Sequence, residues 1–586
     1  MTDFFVVQDL LLPGMDFSAP VELYARGNDH VSFRLAERKA VFQPGGRAFF
    51  DTYYNGISVG AWKRMTTIDN VSVLLKGHGN FILRAGIHRL GQAFRWLTEQ
   101  EIELADDQDT IAELPWAELD DGLLKIQLEA VSDGELSGGC FVTSSTPQRD
   151  VKLGVVITHF NRQSFVVPAI RRIHQELLQR QDYAGKIDLI VVDNSSNLTA
   201  EQTEGAIHIP NLNLGGSGGF TRGLLHLVDC KDYTHCLFMD DDASCEIESI
   251  RRAFTLQQFA RDPKLAISGA LLREMEPYRL FEKGASYEQG LVRPLNTGRD
   301  MRDVGELLLA ERQEHYSAYG AWWFFCFDLK QFRHYPYPFF VRGDDALFGL
   351  LNDFKVETMN GISCWGEDFQ LKENPLTRYL GLRSTLAIML MTSDMPKQRV
   401  FRIMLSWFLS SILSYNYSSA QAIIQAVRDV SKGPEFWLEN MDMSEIRAEF
   451  GPLNAEEKLT KVCLADYALV HGGVHECRLR RYIRLLSLNG FLLPAALIRK
   501  TTMLDHKAFR GTFRKIFRHS KVMYFYEAMD LGYVAEYDKK RFFKLSALFL
   551  KTSLRFLKDM PRLRRDYQSG MSDMTTEKFW RKIYSL

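Results

Sequence analysis

Three consecutive carboxylates, Asp240, Asp241 and Asp242, directly follow an apolar run in the segment CLFMDDDAS. Adjacent carboxylates repel one another, and a hard divalent cation, which prefers oxygen ligands, relieves that repulsion. If the segment stays extended, Asp240 and Asp242 project to one side, so that one metal ion can bridge them. Such an ion can neutralise a diphosphate leaving group. The alternative is a solvated acidic turn or a helix N-terminus.

A second acidic pair, Asp344 and Asp345, occurs in the segment FFVRGDDALFGLL. Transfer of a group to a hydroxyl requires a carboxylate near the attacking oxygen to accept its proton. The pair therefore supplies candidates for a general base. A helix that begins with two acids in its first turn is the alternative.

A glycine-rich segment, NLNLGGSGGFTRG, lies between two predicted strands. Glycines such as Gly215, Gly218 and Gly219 allow a backbone to approach a ligand closely. A helix predicted to begin near Phe220 can present its N-terminus to a phosphate group. We expect nucleotide or sugar contact here, with a flexible loop as the alternative.

Two adjacent tryptophans, Trp322 and Trp323, lie in the apolar segment AWWFFCFD. Aromatic runs usually belong to a core, but aromatic faces also stack on sugars. Neighbouring side chains on a strand point to opposite sides. One tryptophan can therefore be core while the other lines a binding site.

The elements that carry these residues alternate between strand and helix. Buried strands are predicted in VKLGVVITHF, IDLIVVDNSS and CLFMDDDAS, which indicates parallel βαβ units. Ligands of open α/β sheets bind at the carboxyl ends of the strands, where Arg162, Asp193 and the three acids lie. Asp193 can accept from a nucleobase or ribose, or cap a turn. Arg162 contacts the ligand or faces solvent.

Two other regions flank this pattern, since 586 residues exceed one ordinary core. Residues 1–148 contain short β-branched or aromatic runs, which predict an N-terminal β-sandwich or jelly-roll-like domain. Residues 149–390 form the predicted α/β domain. Residues 391–586 show helical periodicity and predict a C-terminal helical domain.

Composition limits the function classes. A net charge of −1 gives no basis for nucleic-acid binding. Eight cysteines without a CxxC pair indicate free thiols in a reducing compartment. The acidic start and the lack of a long apolar run predict a cytoplasmic protein. The segment from Lys539 to Arg565 combines Phe and Leu with ten Lys or Arg residues; it can bind an anionic membrane surface, or pack on the chain with a solvated basic face.

In their order, these motifs resemble the bacterial galactofuranosyltransferases of glycosyltransferase family 2, and most of all the polymerising enzymes of mycobacterial arabinogalactan. The N-terminal segment FDTYYNGISVGAWKRMTT is also similar to that family. The resemblance covers roughly residues 1–390. It implies a GT-A (Rossmann-like) α/β catalytic domain between a β-sandwich and a helical domain, and a divalent Mn or Mg cofactor.

The resemblance also implies roles for single residues. Asp240 and Asp242 look like metal and diphosphate ligands, and Asp241 like a donor contact. Asp345 looks like the general base, with Asp344 beside it. The nucleotide contacts and the aromatic wall would be Arg162, Asp193, Asn213, Trp322 and Trp323.

One position departs from the family, which has a metal-binding His after a Trp. Here the segment reads GISCWGEDF, with Gly366 after Trp365. Glycine has no side chain to ligate a metal, so we predict that Glu367 completes the metal shell. The alternative is that Glu367 faces solvent and water fills the vacancy.

The leading hypothesis is a metal-dependent, inverting enzyme that moves galactofuranose from UDP-galactofuranose to a glycan or glycolipid acceptor in cell-surface polysaccharide synthesis. One alternative is the same chemistry with a rhamnosyl or galactopyranosyl donor. Another is a non-catalytic glycan-binding protein with a decayed site. The interpretation allows a homo-oligomer, and peripheral attachment to the inner face of the membrane.

Overall fold

The computed structural model describes residues 4–106, 108–312, 315–472 and 475–586. The first region is rich in β-structure, and its strands form one hydrogen-bonded sheet in which β2-β5-β10-β7-β11-β4-β3 are successive neighbours. Helix α1 (Val59–Met65) lies between its sixth and seventh strands. The strands are β1 (Phe5–Asp9), β2 (Arg26–Gly27), β3 (Val31–Arg34), β4 (Lys39–Phe42), β5 (Arg47–Phe49), β6 (Ile57–Ser58), β7 (Ser72–His88), β8 (Arg95–Leu104), β9 (Thr110–Glu113), β10 (Leu123–Ala130) and β11 (Gly134–Thr143).

The second region has the alternating α/β pattern that the sequence predicts. Its strands are β12 (Leu153–His159), β13 (Ile187–Asp193), β14 (Ile207–Pro210), β15 (His235–Asp240), β16 (Ser244–Cys245), β17 (Leu265–Ser268), β18 (Ala270–Arg273), β19 (Leu280–Glu282), β20 (Ala285–Glu288), β21 (Leu291–Pro294), β22 (Phe325–Asp328), β23 (Lys355–Glu357) and β24 (Ser363–Gly366). Its helices are α2 (Gln163–Ile173), α3 (Gly215–Cys230), α4 (Ile247–Gln258), α5 (Val304–Glu311), α6 (Asp344–Leu351) and α7 (Phe369–Lys372).

The main sheet of this region has the order β14-β13-β12-β15-β22-β17-β23. Strands β12 to β15 in this sheet are parallel, and their apolar sequences are buried, because such a sheet is covered on both faces. In the register, His159 is opposite Asp193 and Thr158 is opposite Asp240. The carboxyl ends of these strands therefore lie side by side at one edge of the sheet.

The third region is mainly helical but also contains a sheet that the sequence analysis did not predict. Its helices are α8 (Pro375–Thr392), α9 (Lys397–Ile412), α10 (Tyr417–Val430), α11 (Glu435–Glu439), α12 (Ser444–Glu456), α13 (Arg478–Leu486), α14 (Phe513–Ile516), α15 (Lys539–Met574) and α16 (Glu577–Tyr584). The added sheet contains β25 (Thr460–Lys461), β26 (Leu469–Val470), β27 (Arg499–His506), β28 (His519–Tyr526) and β29 (Leu531–Glu536). Short segments that mix basic and apolar residues do not distinguish strand from helix by periodicity alone.

The flanking regions pack directly on the α/β region. At the N-terminal side, the backbone N–H of Asp9 donates to Glu248 of α4 at 2.9 Å, and the hydroxyl of Tyr24 donates to Glu246 at 2.6 Å. At the C-terminal side, the hydroxyl of Tyr584 donates to the carbonyl of Gly218 at 2.7 Å. All eight cysteines are free. None of the helices in the described ranges is both long and apolar enough to cross a membrane.

Candidate active site

The three acids lie where β15 ends, beside the end of β12. Asp241 is buried and accepts from the backbone N–H of Phe160 at 3.3 Å and from Arg162 at 3.0 Å. The same guanidinium nitrogen of Arg162 is 2.9 Å from Asp242. Arg162 therefore neutralises two of the three carboxylates.

Asp240 lies in an environment that disfavours its charged form. Burial, together with the neighbouring charges of Asp242 and Asp241, raises the pKa of Asp240 well above its ordinary value. The ammonium of Lys372 opposes this effect from its position 3.0 Å from Asp242. The run of acids is therefore a cluster whose ionised form depends on nearby positive charge.

The second acidic pair begins helix α6, so the predicted helix N-terminus and the predicted catalytic pair are the same feature. Asp344 accepts from the hydroxyl of Ser217 at 3.1 Å, and Asp345 accepts from the backbone N–H of Ala346 at 2.7 Å. Burial and then the charge of Asp345 raise the pKa of Asp344 to about 7. Burial raises the pKa of Asp345 to about 6. A carboxyl group with such a pKa is suited to accept a proton near neutral pH.

A cavity of about 680 Å³ brings several predicted site residues together. It is lined by Asp240, Asp344, Asp345, Trp322 and Trp323, together with residues from α3, β19 to β21, α7 and α8. A volume of this size can hold one or two sugar rings with part of a nucleotide. Within the described part of the chain, the lining of this cavity does not include six other predicted site residues: Arg162, Asp193, Asn213, Asp241, Asp242 and Glu367.

Both tryptophans contribute to the wall of this cavity. Trp322 is buried against Phe220 and Phe238, with ring centroids 5.0 and 5.2 Å away. Trp323 is half-buried and donates from Nε1 to the carbonyl of Gly269 at 2.8 Å. We expected one tryptophan in the core and the other at the site. In the structure both line the cavity, and Trp322 is also buried in the core.

The glycine segment has a different local structure from the one expected. Helix α3 begins at Gly215, not near Phe220, because packing outweighs the low helix propensity of glycine. A Cβ atom at Gly215, whose φ is +68°, would lie 2.2 Å from the carbonyl oxygen of Phe340, and one at Gly219 would lie 2.6 Å from Thr158. Gly218 is similarly close to Leu214.

These three glycines therefore bring α3 close to its protein neighbours. Gly216 is the glycine of this run that lines the cavity. Asn213 accepts from the backbone N–H of Gly215 at 3.1 Å, and so helps to fix the start of the helix.

Asp193 also differs from its predicted role. Its side chain is fully buried, and its carboxylate accepts from the backbone N–H groups of Ser195, Asn197 and Leu198 at 2.9 to 3.0 Å. His208 lies 3.3 Å from the same carboxylate. This geometry supports the turn-capping role of Asp193, which was the alternative to ligand binding. The local N–H donors already engage both oxygens of its carboxylate.

Glu367 lies at the edge of the acidic cluster. Its side chain is 46% exposed, and a carboxylate oxygen lies 3.7 Å from the ammonium of Lys372. Among the described residues, no group of three or more His, Cys, Asp or Glu side chains is arranged to hold a metal ion. The carboxylate oxygens of Asp240 and Asp242 remain a donor set that suits a hard divalent cation. Glu367 as a metal ligand stays a prediction.

Glu282 is a cavity residue that the sequence analysis missed. It ends β19 and lines the cavity, and the hydroxyl of Tyr319 donates to it at 3.2 Å. Burial, with the charge of Asp345 added, raises the pKa of Glu282 to about 8. A single glutamate in the segment LFEKG gives no local signal, and only the fold brings it near the acidic pair.

Comparisons with known proteins point in one direction. No protein-family model matches the chain. Galactofuranosyltransferase GlfT2 of Mycobacterium tuberculosis is 26% identical over 432 residues, which are 66% of this chain and 65% of the relative. GlfT2 of Mycolicibacterium smegmatis is 24% identical over 430 residues, 67% of this chain and 65% of the relative. The chain is therefore similar in sequence to two galactofuranosyltransferases.

The match to these galactofuranosyltransferases spans slightly less than two thirds of their own length. Among solved structures, GalNAc-T7 with UDP, GalNAc and Mn2+ is 9% identical, with a TM-score of 0.30, over 42% of this chain and 49% of that chain. Glucosyl-3-phosphoglycerate synthase from Mycobacterium tuberculosis is 12% identical, with a TM-score of 0.26, over 42% of this chain and 81% of that chain.

Proposed function

We propose that the chain is an inverting glycosyltransferase that moves galactofuranose from UDP-galactofuranose to a hydroxyl of a glycan acceptor. The observation that carries this proposal is the cavity that Asp240 and Asp345 share with Trp322. One acid lies at the carboxyl end of a parallel strand, where nucleotides bind in such sheets. The other lies in the first turn of α6, and its raised pKa suits a base. Similarity to galactofuranosyltransferases supports the choice of sugar.

In the proposed reaction, Asp345 accepts the proton of the acceptor hydroxyl as its oxygen bonds to the anomeric carbon of the donor sugar. The bond from that carbon to the diphosphate breaks, and UDP leaves with the electron pair. One displacement inverts the anomeric centre, so no covalent sugar–enzyme intermediate forms. Trp322 and Trp323 provide apolar faces for the sugar rings.

The positive charge for the leaving diphosphate comes from two sources in this proposal. Arg162 contributes a guanidinium next to the acids. Asp240 and Asp242 would hold a divalent Mn or Mg ion, which supplies electrostatic stabilisation of the diphosphate when bound. The GT-A assignment of the α/β region belongs to the same proposal.

The decisive experiment is release of UDP from candidate donors, with and without divalent metal. Metal-dependent release from UDP-galactofuranose, increased by a galactofuranose acceptor, is the expected result. Release of UDP from a galactopyranosyl donor, or release of the nucleotide carried by a rhamnosyl donor, would assign a different donor to the same transfer chemistry. Glycan binding without release from any donor would favour the non-catalytic alternative.

Attachment to an anionic membrane surface is also proposed, but through a different element from the one expected. Part of the apolar surface of α15 packs internally, where Phe549 and Phe556 are buried against the other helices, while Leu550 and Leu554 stay exposed. No residue of α13 is buried, and this helix exposes Leu479, Leu486 and several arginines. A helix with basic and apolar exposed residues can lie in the membrane interface. Homo-oligomer formation stays a prediction.

A further inference from the structure

Lys372 is the cation that lies against the last acid of the run. Its ammonium is 3.0 Å from Oδ2 of Asp242 and 3.7 Å from Glu367. Arg162 lies 2.9 Å from the same oxygen of Asp242. Protein cations therefore already surround the carboxylate oxygen that a divalent ion would need.

The position of Lys372 has a direct electrostatic consequence. A fixed positive charge within 3 to 4 Å of a carboxylate stabilises its ionised form and repels a second cation that approaches it. The site is partly buried, with side-chain exposures of 20% for Asp242 and 29% for Lys372, so solvent screens this repulsion only in part. At the position after Trp365, where the resembled family has a metal-binding imidazole, this chain has Gly366. Glycine offers no side chain to strengthen metal binding.

We propose that Lys372 is a positioning residue that occupies Asp242 in the donor-free protein and keeps a divalent metal from binding before the donor. The proposal rests on the proposed function, since it concerns the donor site of a glycosyltransferase. A donor diphosphate brings new anionic oxygens, which attract the ammonium and release Asp242. Metal and donor are thereby bound together.

The element that carries Lys372 extends this coupling to the cavity. Lys372 ends the short helix α7, which begins at Phe369. The ring of Phe369 lines the cavity and stacks on Phe281, with centroids 4.8 Å apart. A movement of Lys372 away from Asp242 that shifts α7 would therefore also shift this part of the cavity wall.

The test measures Mn2+ binding to the full chain by electron paramagnetic resonance of free Mn2+, without any donor. Lys372→Met should bind Mn2+ about tenfold more tightly than the wild type, a factor that corresponds to about 1.4 kcal/mol. Lys372→Arg keeps the charge and should restore the weak wild-type binding. Lys264→Met removes a surface charge that pairs with Asp353 and serves as the matched control. Unchanged or weaker Mn2+ binding in Lys372→Met, or in its replacement Lys372→Gln if Met does not fold, would overturn the proposal.

A second arm adds UDP and separates this proposal from the proposed function. In the wild type, UDP should tighten Mn2+ binding strongly. In Lys372→Met this increase in affinity should be about tenfold smaller, because Mn2+ already binds Asp242 without the donor. An equal gain in both proteins overturns the role of Lys372 while leaving the glycosyltransferase intact. No effect of UDP on Mn2+ binding in the wild type counts against the donor site itself.

Discussion

Ser217 donates a hydrogen bond to Asp344, with 3.1 Å between Oγ and Oδ2, and so joins the glycine-rich helix α3 to the acidic pair at the start of α6. This contact engages one acid of the pair in holding two elements together. Asp345 lines the same cavity, and its described partner is a neighbouring backbone N–H. The structure therefore offers different environments to the two acids, and different roles can be tested.

Replacement of Asp345 by asparagine should reduce kcat far more than donor affinity. Asparagine keeps the shape of the side chain but cannot accept the acceptor proton, and loss of a general base costs about 10²- to 10⁴-fold. Asp344→Asn should cost less, because its contact with Ser217 is structural. The comparison requires kcat and the KM for donor in both variants. Greater sensitivity of Asp344 would mean that the two roles are reversed.

The pH dependence of turnover should reflect the same residue. Burial raises the pKa of Asp345 to about 6, and a general base works only when ionised. Turnover should therefore fall as the pH decreases through about 6, where Asp345 becomes protonated. The acidic limb should persist in Asp344→Asn and disappear from the residual activity of Asp345→Asn. A limb that is unchanged in Asp345→Asn would assign the titration to another group.

Removal of the first or third acid should separate activity from stability. Asp240→Ala or Asp242→Ala should abolish transfer, because the charge neutralisation assigned to these carboxylates is worth several kcal/mol. In the donor-free protein, Asp240→Ala should leave the melting temperature equal or higher, since it removes a carboxyl group whose charged form is disfavoured by burial and by the charges of Asp242 and Asp241. Transfer assays with metal and thermal melts without it test both parts. Near wild-type turnover in either variant would show that the substituted acid is not part of the donor site.

The glycines of α3 should divide into structural and cavity positions. Gly219→Ala should lower stability by about 1–3 kcal/mol, the usual cost of overpacking, because its Cβ would lie 2.6 Å from Thr158. At Gly216 the nearest atom to an added Cβ is a carboxylate oxygen of Asp344 at 3.3 Å, so Gly216→Ala should affect turnover more than stability. Denaturant unfolding and kcat measurements on both variants decide this. Equal destabilisation would mean that the run acts only as packing.

The features that could be predicted from the sequence are those whose pattern lies within one short segment. The buried strands and their polar ends were predictable, because a parallel sheet requires apolar runs and places their carboxyl ends together. The role of Asp193 was not, since a strand-end acid can face either a ligand or its own loop. Glu282 and Lys372 were missed because each reaches the site from a separate element. The packing of Gly215 against Phe340 also depends on residues distant in sequence.

Membrane binding, the last prediction, distinguishes α13 from α15. A basic residue near an anionic surface contributes about 1 kcal/mol, so Arg481→Glu on α13 should weaken binding to anionic vesicles by at least about fivefold. Leu486→Ser should weaken it further, since Leu486 is 78% exposed and available for insertion. The matched control is Lys551→Glu, an exposed charge reversal on α15, which should have a smaller effect. Co-sedimentation with phosphatidylcholine vesicles that contain or lack phosphatidylserine measures all three. If Lys551→Glu proves the more damaging change, the membrane-binding element is α15, as the basic sequence pattern first indicated; binding that ignores lipid charge would reject the electrostatic attachment for both helices.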